Sequence, residues 1–326
     1  MSQILEKPPI INSLIHQHDR PLWSVMIPVY NCAHYLTETL ESVLMQDLGE
    51  SEMQIEVIDD ASKDADVEEI VTRIGKGRIK YFRQKENIGS LKNFETCLNR
   101  SQGRLVHLLH GDDRVKPGFY QTMGNLFQQY PEAGASICRF HYIDETGKRL
   151  YDQHLEMERE GILEDWLVQV AVKNPSQYAA TVVRREVYEN LGGFYGITYG
   201  EDWEMWVRIA KHYPVAYTPK MLADYRLHSN SISGTKFLTG QNQKDIIKVM
   251  EMIQDHLPSH QKELVLKKSK KFYAHYGVSV ANQVWHSIHH KQGVKTQIRL
   301  ALRMHLDPML LFTTAKVYIK MLLNIT

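Results

Sequence analysis

The side chains of this sequence that are best suited to chemistry are carboxylates in three short stretches. The stretches are Asp59-Asp60, Asp112-Asp113 and Gly200-Glu201-Asp202-Trp203. A carboxylate can accept a hydrogen bond from a base or a ribose, hold Mg²⁺ or Mn²⁺ against a diphosphate, or take a proton from an attacking hydroxyl. Aspartates also cap turns and helix starts, so a structural role is the alternative for each stretch.

Two residues at the end of a later extended segment add to this set. His228 carries an imidazole that can ligate a metal, and Arg226 carries a guanidinium that can pair with a phosphate. A second group of imidazoles, at His286, His289 and His290, shares one predicted helix and has no acidic or cysteine ligand nearby. We therefore interpret that group as a solvated helix face.

Apolar runs rich in strand-forming residues predict the elements that position the acidic pairs. Residues 23–30, 54–58 and 105–109 each indicate a buried strand, and helical patterns lie between them. This alternation predicts an α/β fold with a mostly parallel sheet flanked by helices. Because ligands of such sheets bind beyond the carboxyl ends of the strands, Tyr30-Asn31 and the two acidic pairs are expected to meet in one crevice.

The remaining elements follow from periodicity and from turn residues. Residues from 242 onward predict a helical region with breaks at Leu257-Pro258, Gly293 and Asp307-Pro308. We divide the chain into an N-terminal arm (1–22), a sheet domain (23–234) and a helical C-terminal region (235–326). The other predicted helices cover 35–46, 67–74, 90–98, 163–172 and 202–212, with one opening at Pro117, and the other predicted strands cover 79–82, 135–140, 179–183 and 215–227.

Composition and charge exclude several classes of protein. The 326 residues are 43% hydrophobic and 24% charged, with a net charge of +1, so no global field recruits nucleic acid. Three widely spaced cysteines give neither a disulfide framework nor a zinc pattern. There is no signal-peptide pattern and no run of roughly 18 apolar residues. We expect a cytoplasmic protein, with a peripheral contact at the inner face of the membrane as an open alternative.

The order and spacing of these motifs resemble the family 2 glycosyltransferases, which have the GT-A fold. The resemblance covers about residues 23–233. Each motif is weak alone, and their shared order makes the match specific. The matching segments are SVMIPVYN at 24–31, VIDDAS at 57–62, Asn87-Ile88-Gly89, Lys92-Asn93, Gly103, HGDD at 110–113, VVRREVYENLGGF at 182–194, GEDWEMWVRIA at 200–210 and YRLHSNSIS at 225–233.

The resemblance implies an inverting transfer of a sugar from a nucleoside-diphosphate sugar, with a UDP-sugar favoured, to a glycan or lipid-linked acceptor. Asp202 would be the general base that deprotonates the acceptor hydroxyl. Asp112 and His228 would bind one Mn²⁺ or Mg²⁺ on the donor diphosphate, and Asp60 would face the base of the nucleotide. The whole set implied for the nucleotide sugar is Pro28, Tyr30, Asp60, Lys92, Asp112, Asp113, Glu201 and Trp203.

Two departures from the family pattern bear on activity. His110 stands at the first acidic position of the DxD motif, and a neutral imidazole supplies less charge to a metal. The QxxRW motif of processive members is missing, which favours a single addition. A nucleotide-sugar-binding protein with little or no turnover is the alternative to a transferase. A nucleotidyltransferase is the third hypothesis, but the first predicted strand leads into VYNCAHY instead of a glycine-rich, basic loop.

The last predicted helix, over 308–323, is dense in apolar residues but too short for a comfortable membrane span. Lys316 and Lys320 lie one helical turn apart within it, and four lysines occur nearby at 267, 268, 270 and 271. Such a helix must pack on the preceding helices, form a homodimer interface, or lie at a membrane surface. All three alternatives remain open from the sequence.

Overall fold

A computed structural model of the chain describes residues 6–14, 19–228 and 232–325, with strands and helices mixed from Trp23 to Arg226 and helices from Ile232 onward. The strands are β1 Trp23–Val29, β2 Met53–Asp59, β3 Lys80–Arg83, β4 Leu105–Leu108, β5 Arg114–Val115, β6 Ala135–Ile143, β7 Arg149–Asp152, β8 Gly161–Ile162, β9 Thr181–Arg184 and β10 Val215–Arg226. The helices are α1 Ala33–Leu44, α2 Val67–Gly75, α3 Ser90–Arg100, α4 Phe119–Gln129, α5 Trp166–Val172, α6 Arg185–Leu191, α7 Glu201–His212, α8 Ile232–Thr239, α9 Gln241–Ile253, α10 Ser259–Ile288, α11 Lys291–Met304 and α12 Pro308–Leu323.

The ten described strands form one mixed sheet in the order β3-β2-β1-β4-β9-β6-β10-β5, with β7 added to β6 and β8 added to β10. The first four strands in this order pair in parallel, as do β6 and β10. Strand β9 runs antiparallel to both neighbours. The chain order reverses between β1 and β4, so the carboxyl ends of these two strands flank the switch point where open α/β sheets bind ligands.

Strands β1 and β2 are buried along their whole length because helices cover both faces of the sheet. Helix α1 contributes Leu36, Leu40 and Val43, whose spacing places them on one helical face. Gly103 allows the chain to enter β4 in close contact with β1. A Cβ at that position would lie 2.4 Å from the main-chain nitrogen of Ser24, so no larger residue fits there.

The structure forms two compact units, each built from separated stretches of chain. The sheet unit comprises Met1–Glu164, Pro175–Gly196 and His212–Arg226, and the helical unit comprises Asp165–Asn174, Ile197–Lys211 and Leu227–Thr326. The linear division at residues 22 and 234 stays a prediction about domains. In the described part of the N-terminal arm, Ile11 is buried, and the carbonyl oxygen of Pro9 accepts a hydrogen bond from the N–H of Gly193 at 2.9 Å.

The helical unit has its own apolar core, centred on α10, α11 and α12. The predicted breaks at 257–258 and 307–308 are confirmed, and Asp307 caps α12 by accepting from the N–H of Leu310 at 2.8 Å. The predicted break at Gly293 is wrong. The chain turns instead at His289, which has φ 52°, and the Nδ1 of His290 then accepts from the N–H of Gly293 inside the first turn of α11. None of the described helices is both long enough and apolar enough to cross a bilayer.

The helix predicted to open at Pro117 begins two residues later, at Phe119. Gly118 takes the left-handed conformation before it, with φ +87°. The two-residue strand β5 just upstream was not predicted. Its partner is β10, more than 100 residues away in the chain, and pairing at that separation leaves no local pattern in so short a segment.

Candidate functional site

Asp59, the last residue of β2, and Asp60, which follows it, have different hydrogen-bond partners. The buried carboxylate of Asp59 forms an ion pair with Arg83 and accepts hydrogen bonds from the hydroxyl of Tyr81 at 2.9 Å and the N–H of Ser62 at 2.8 Å. These partners belong to β3 and to the turn after β2. Asp59 therefore ties the end of β2 to its neighbouring strand and is a structural residue.

Asp60 points to a different turn. One oxygen of its carboxylate accepts from the N–H of Ile88 at 2.8 Å, and the other accepts from the N–H of Gly89 at 3.0 Å and from the side-chain amide of Asn87 at 2.9 Å. Burial raises the pKa of Asp60, and the two main-chain N–H groups act in the opposite direction. Asp60 thus holds the Asn87-Ile88-Gly89 turn that leads into α3, a role beyond the base contact implied by the resemblance.

The end of β1 lies beside the turn that follows β4. The carbonyl oxygen of Pro28 accepts from the N–H of Gly111 at 3.2 Å, and a Cβ on Gly111 would lie only 2.9 Å from the side chain of Val29. Tyr30 follows directly and is 48% exposed. On α3, the ammonium of Lys92 lies 2.7 Å from the carboxylate of Glu95 and is partly exposed. The end of β1 and the turn after β4 therefore lie together at one edge of the sheet, and the crevice expected there stays a prediction.

The turn after β4 gathers the candidate metal ligands. His110, Asp112 and Asp113 each offer a ligand atom, and these atoms lie within 4.8 Å of one another. Asp113 is buried and accepts from the main-chain N–H of Arg226 at 2.9 Å, while its own carbonyl accepts from the hydroxyl of Thr39 at 2.7 Å. Burial and the nearby Asp112 carboxylate raise the pKa of Asp113. Asp113 consequently supports the turn, and the half-buried Asp112 is the better placed carboxylate for a cation.

His110 occupies an aromatic slot. Its ring stacks against Phe94 with centroids 5.2 Å apart and lies 4.4 Å from the ring centroid of Tyr178. Burial lowers its pKa, which keeps the imidazole neutral. Its buried Nε2 has no hydrogen-bond partner among the described residues. A neutral imidazole nitrogen beside a carboxylate is a donor set that suits a divalent transition-metal ion, so the residues present fit Mn²⁺.

Arg226 does not have the phosphate role that its residue type allows. Its guanidinium is fully buried and donates to the carbonyl oxygens of Asp112, Asp144 and Glu145 and to the carboxylate of Glu38. All three guanidinium nitrogens donate to the protein, so Arg226 clamps the acidic turn to the end of β10. No local pattern distinguishes this role from phosphate binding, because the partners are main-chain oxygens from distant segments.

In the helical unit, Asp202 lies in the first turn of α7 and is 7% exposed. Its carboxylate accepts from the side-chain amide of Asn174 at 2.8 Å and from the N–H of Trp203 at 2.8 Å, both neutral donors. Burial raises the pKa of Asp202 from 3.8 to about 6, although these hydrogen bonds lower it. Sequence reasoning missed Asn174, which follows α5 and has no motif around it. A buried carboxylate with a pKa near neutrality suits proton transfer.

Trp203 and Gly200 both pack inside the helical unit. Trp203 has no exposed surface, donates from its indole nitrogen to the carbonyl of Val170 at 2.6 Å, and packs 4.8 Å from the ring of Tyr273. Trp203 thus packs in the interior of the helical unit, and its implied contact with the nucleotide sugar stays a prediction. Gly200 has φ +94° and lies against the side chain of Val249, which explains the glycine without a ligand.

The remaining predicted site residues have less defined environments. Glu201 is buried at the first position of α7. His228 is half-buried, two residues after β10, and its role as a metal ligand stays a prediction. Residues 229–231, which complete the motif around His228, lie outside the described residues.

Comparisons of the sequence with known proteins show the family of this chain. A family model described as "Glycosyl transferase family 2" matches residues 24–192. Bacillus subtilis TuaG, named as a teichuronic acid biosynthesis glycosyltransferase, is 29% identical over 221 residues, which are 67% of this chain and 84% of TuaG.

Two solved structures share the fold at low sequence identity. The structure of S. aureus TarS 1–349 in complex with UDP-GlcNAc has a TM-score of 0.62 at 16% identity and covers 92% of this chain and 89% of its own. The mannosyltransferase PcManGT from Pyrobaculum calidifontis, in complex with GDP-Man and Mn²⁺, has a TM-score of 0.58 at 16% identity. The match covers 98% of this chain and 90% of PcManGT. These structural likenesses confirm the expected GT-A fold class.

Proposed function

Because this chain belongs to glycosyltransferase family 2, we propose that it transfers a single sugar from a nucleoside-diphosphate sugar to an acceptor hydroxyl and inverts the anomeric configuration. The observation that carries the proposal is Asp202. Within the described residues the hydrogen-bond donors to this buried carboxylate are uncharged, which costs stability, and such residues concentrate at sites of catalysis.

The carboxyl ends of β1 and β2 are the proposed donor site. The half-exposed ring of Tyr30 offers a face to a nucleobase, and the ordered turn held by Asp60 borders the same strand ends. Lys92 adds a positive charge in the first turns of α3, which favours an anionic diphosphate. TarS binds UDP-GlcNAc on the same fold, and this supports a UDP-sugar as donor.

The turn from His110 to Asp113 is the proposed cation site. Asp112 and the unpartnered Nε2 of His110 would hold the ion, with Asp113 and Arg226 fixing the turn, and His228 stays a further candidate ligand. A bound Mn²⁺ or Mg²⁺ supplies positive charge to a departing nucleoside diphosphate. The Mn²⁺ in the PcManGT complex supports this assignment.

The proposed transfer needs one proton acceptor and one displacement. The carboxylate of Asp202 takes the proton of the acceptor hydroxyl. The hydroxyl oxygen of the acceptor at the same time forms a bond to the anomeric carbon. The bond between that carbon and the diphosphate oxygen breaks, and its electron pair leaves with the nucleoside diphosphate. Attack opposite the leaving group inverts the anomeric centre. Asn174 holds one oxygen of Asp202 and thereby fixes the direction of the other.

The acceptor is proposed to be a growing glycan or a lipid-linked sugar. The name of TuaG, a relative over two thirds of this chain, supports a surface polysaccharide as the acceptor class. The absence of the QxxRW motif from the sequence supports one addition per binding event.

A binding protein without turnover is the second candidate, and one observation favours it. His110 replaces an acidic residue and lies half-buried against aromatic rings, and a neutral imidazole reduces the charge available to a metal. Both candidates bind a nucleotide sugar, so only turnover separates them.

A thermal-shift screen with nucleotides and their sugars, with and without Mn²⁺, tests the proposal. We expect a UDP-sugar with Mn²⁺ to raise the melting temperature, because a ligand at 100 times its Kd stabilises the fold by about 2.7 kcal/mol. Release of UDP, followed by mass spectrometry of a sugar acceptor, then reports turnover. A shift without any release of UDP identifies the binding protein, and no shift with any nucleotide rejects both candidates.

Transfer is expected to fall as the pH is lowered through about 6, the value to which burial raises the pKa of Asp202. The base works only as a carboxylate, so below this pKa the rate should drop about tenfold per pH unit. Replacing Asn174 with alanine removes a hydrogen bond that lowers this pKa, and the acid limb should then move to higher pH. A profile that stays flat down to pH 5 would contradict the assignment.

A further inference from the structure

Helix α12 packs on the rest of the helical unit through one narrow stripe. The buried residues are Leu310, Thr314, Val317 and Met321, whose spacing of four, three and four residues follows a single helical face. Three of them join the apolar core that also contains Trp285 of α10. Packing within the chain therefore covers only one side of this helix.

The opposite half of α12 is apolar and exposed. At 100° per residue, its side chains spread continuously around the helix surface away from the buried stripe. The most exposed is Leu322, at 83%. Contiguous apolar surface of this kind marks an interaction site more often than a free surface. Its residues are Met309, Leu311, Phe312, Tyr318, Ile319, Leu322 and Leu323, with Leu306 before the helix and Ile325 after it.

Positive charge borders this apolar face. Lys316 and Lys320 lie along one edge, and the ammonium of Lys316 is 4.3 Å from the centroid of the Phe312 ring. At the start of the helix, the ammonium of Lys271 lies 3.2 Å from the carboxylate of Asp307 and is mostly exposed. Lysines in this position can keep their charge in water while their stems extend over an apolar surface.

The charge of the surrounding chain is strongly uneven. Residues 259–326 contain eleven lysines and arginines and only two acidic residues, a net charge of +9, although the whole chain has +1. The first 258 residues therefore carry −8. A second copy docked symmetrically on this face would bring two strongly positive surfaces together, which is unfavourable. An anionic lipid surface is complementary both to the apolar face and to its charge.

We propose that the exposed face of α12 docks this protein on the surface of an anionic lipid bilayer. Its apolar side chains enter the boundary between headgroups and acyl chains, and Lys316, Lys320 and Lys271 face lipid phosphates. The helix lies on the membrane and does not cross it. Its 16 residues extend about 24 Å, less than the hydrocarbon core of about 30 Å, and two lysines interrupt it. This inference does not depend on the proposed transfer reaction.

Co-sedimentation of the full chain with lipid vesicles tests the proposal. We expect binding to phosphatidylcholine vesicles that contain phosphatidylglycerol, little binding to phosphatidylcholine alone, and release by salt, which screens the lysines. Changing Ile319 and Leu322 together to serine should weaken binding about tenfold or more, because each removes an apolar side chain from lipid. Changing Lys316 and Lys320 together to glutamine should reduce the preference for anionic vesicles.

The matched control is Met45→Ser, because Met45 is 71% exposed but belongs to the sheet unit. It should bind vesicles like the unmodified chain. The proposal is overturned if the unmodified chain stays in the supernatant with anionic vesicles at low salt, or if the serine pair binds as well as the control. A concentration-dependent dimer that the serine pair abolishes, without vesicle binding, would show that a second copy covers the face.

A fluorescent label tests the contact directly, without a substitution that is meant to weaken vesicle binding. A polarity-sensitive dye on Ile319→Cys should shift to shorter wavelength with anionic vesicles, whereas the same dye on Met45→Cys should not. Two of the three native cysteines, Cys97 and Cys138, are buried, so background labelling is limited. If the protein binds the vesicles but the emission of the dye at Ile319→Cys does not change, a surface other than the exposed face of α12 contacts the lipid.

Discussion

Asp202→Asn is expected to lower the rate of sugar transfer by about 10²- to 10⁴-fold, the usual contribution of a general base, while donor affinity changes little. Asparagine keeps the size of the side chain and one acceptor oxygen for Asn174, but it cannot take a proton. The measurement is steady-state transfer together with donor binding by calorimetry. Near-normal turnover in the folded variant would remove Asp202 from the mechanism.

The same substitution should change how stability depends on pH, which separates loss of chemistry from loss of fold. The pKa of Asp202 is higher in the folded protein than its ordinary value of 3.8, so the charged form destabilises the fold above about pH 6. Asparagine is neutral at every pH but accepts only one of the two hydrogen bonds, so the stability of the variant relative to the unmodified chain should increase as the pH rises from about 4 to above 6. Asp255→Asn, at an exposed position in the same unit, is the control and should change neither property.

Asp112→Ala is expected to abolish the Mn²⁺-dependent part of donor binding and most of the transfer activity. Asp112 is the more accessible carboxylate of the acidic turn, and the backbone of that turn is held independently by Arg226. Titration of Mn²⁺ and of a UDP-sugar by calorimetry measures both effects. The proposed cation site fails if EDTA leaves donor affinity and transfer unchanged in the unmodified protein.

Two companion variants sharpen this test. Glu132→Ala removes one negative charge at an exposed position of the sheet unit and should leave Mn²⁺ binding unaltered. His110→Asp restores a carboxylate at the first position of the motif and should tighten Mn²⁺ binding. That aspartate would lie beside the rings of Phe94 and Tyr178, where a charge can destabilise the fold. The melting temperature of the variant must therefore be measured together with its Mn²⁺ affinity.

The sequence predicted the strand ends well because the evidence for them is local. Strands β1 and β2 are buried on both faces, so each reads as an apolar run followed at once by polar residues. The roles of single residues were harder to predict because their partners are distant. Arg226 is bound to carbonyl groups about 80 and 114 positions away, and Asp202 receives its hydrogen bond from Asn174, 28 positions earlier.

The C-terminal helices show the same division between local and distant causes. Asp307 and Pro308 form a cap that the sequence itself displays, and α12 begins there. Gly293 suggested a break because glycine weakens helices, but the Nδ1 of His290 caps its N–H and the helix continues. Whether the apolar surface of α12 would be covered depended on the packing of α10, which no periodicity within α12 reveals.

Hydrogen exchange in the turn held by Asp60 can report whether a nucleotide is bound to the sheet unit. The amide hydrogens of Ile88 and Gly89 both point at the Asp60 carboxylate, so they exchange with solvent only when that carboxylate releases them. A nucleotide that draws Asp60 away would speed their exchange, and one that tightens the turn would slow it. Hydrogen exchange at these two amides therefore reports how the end of β2 responds to a ligand.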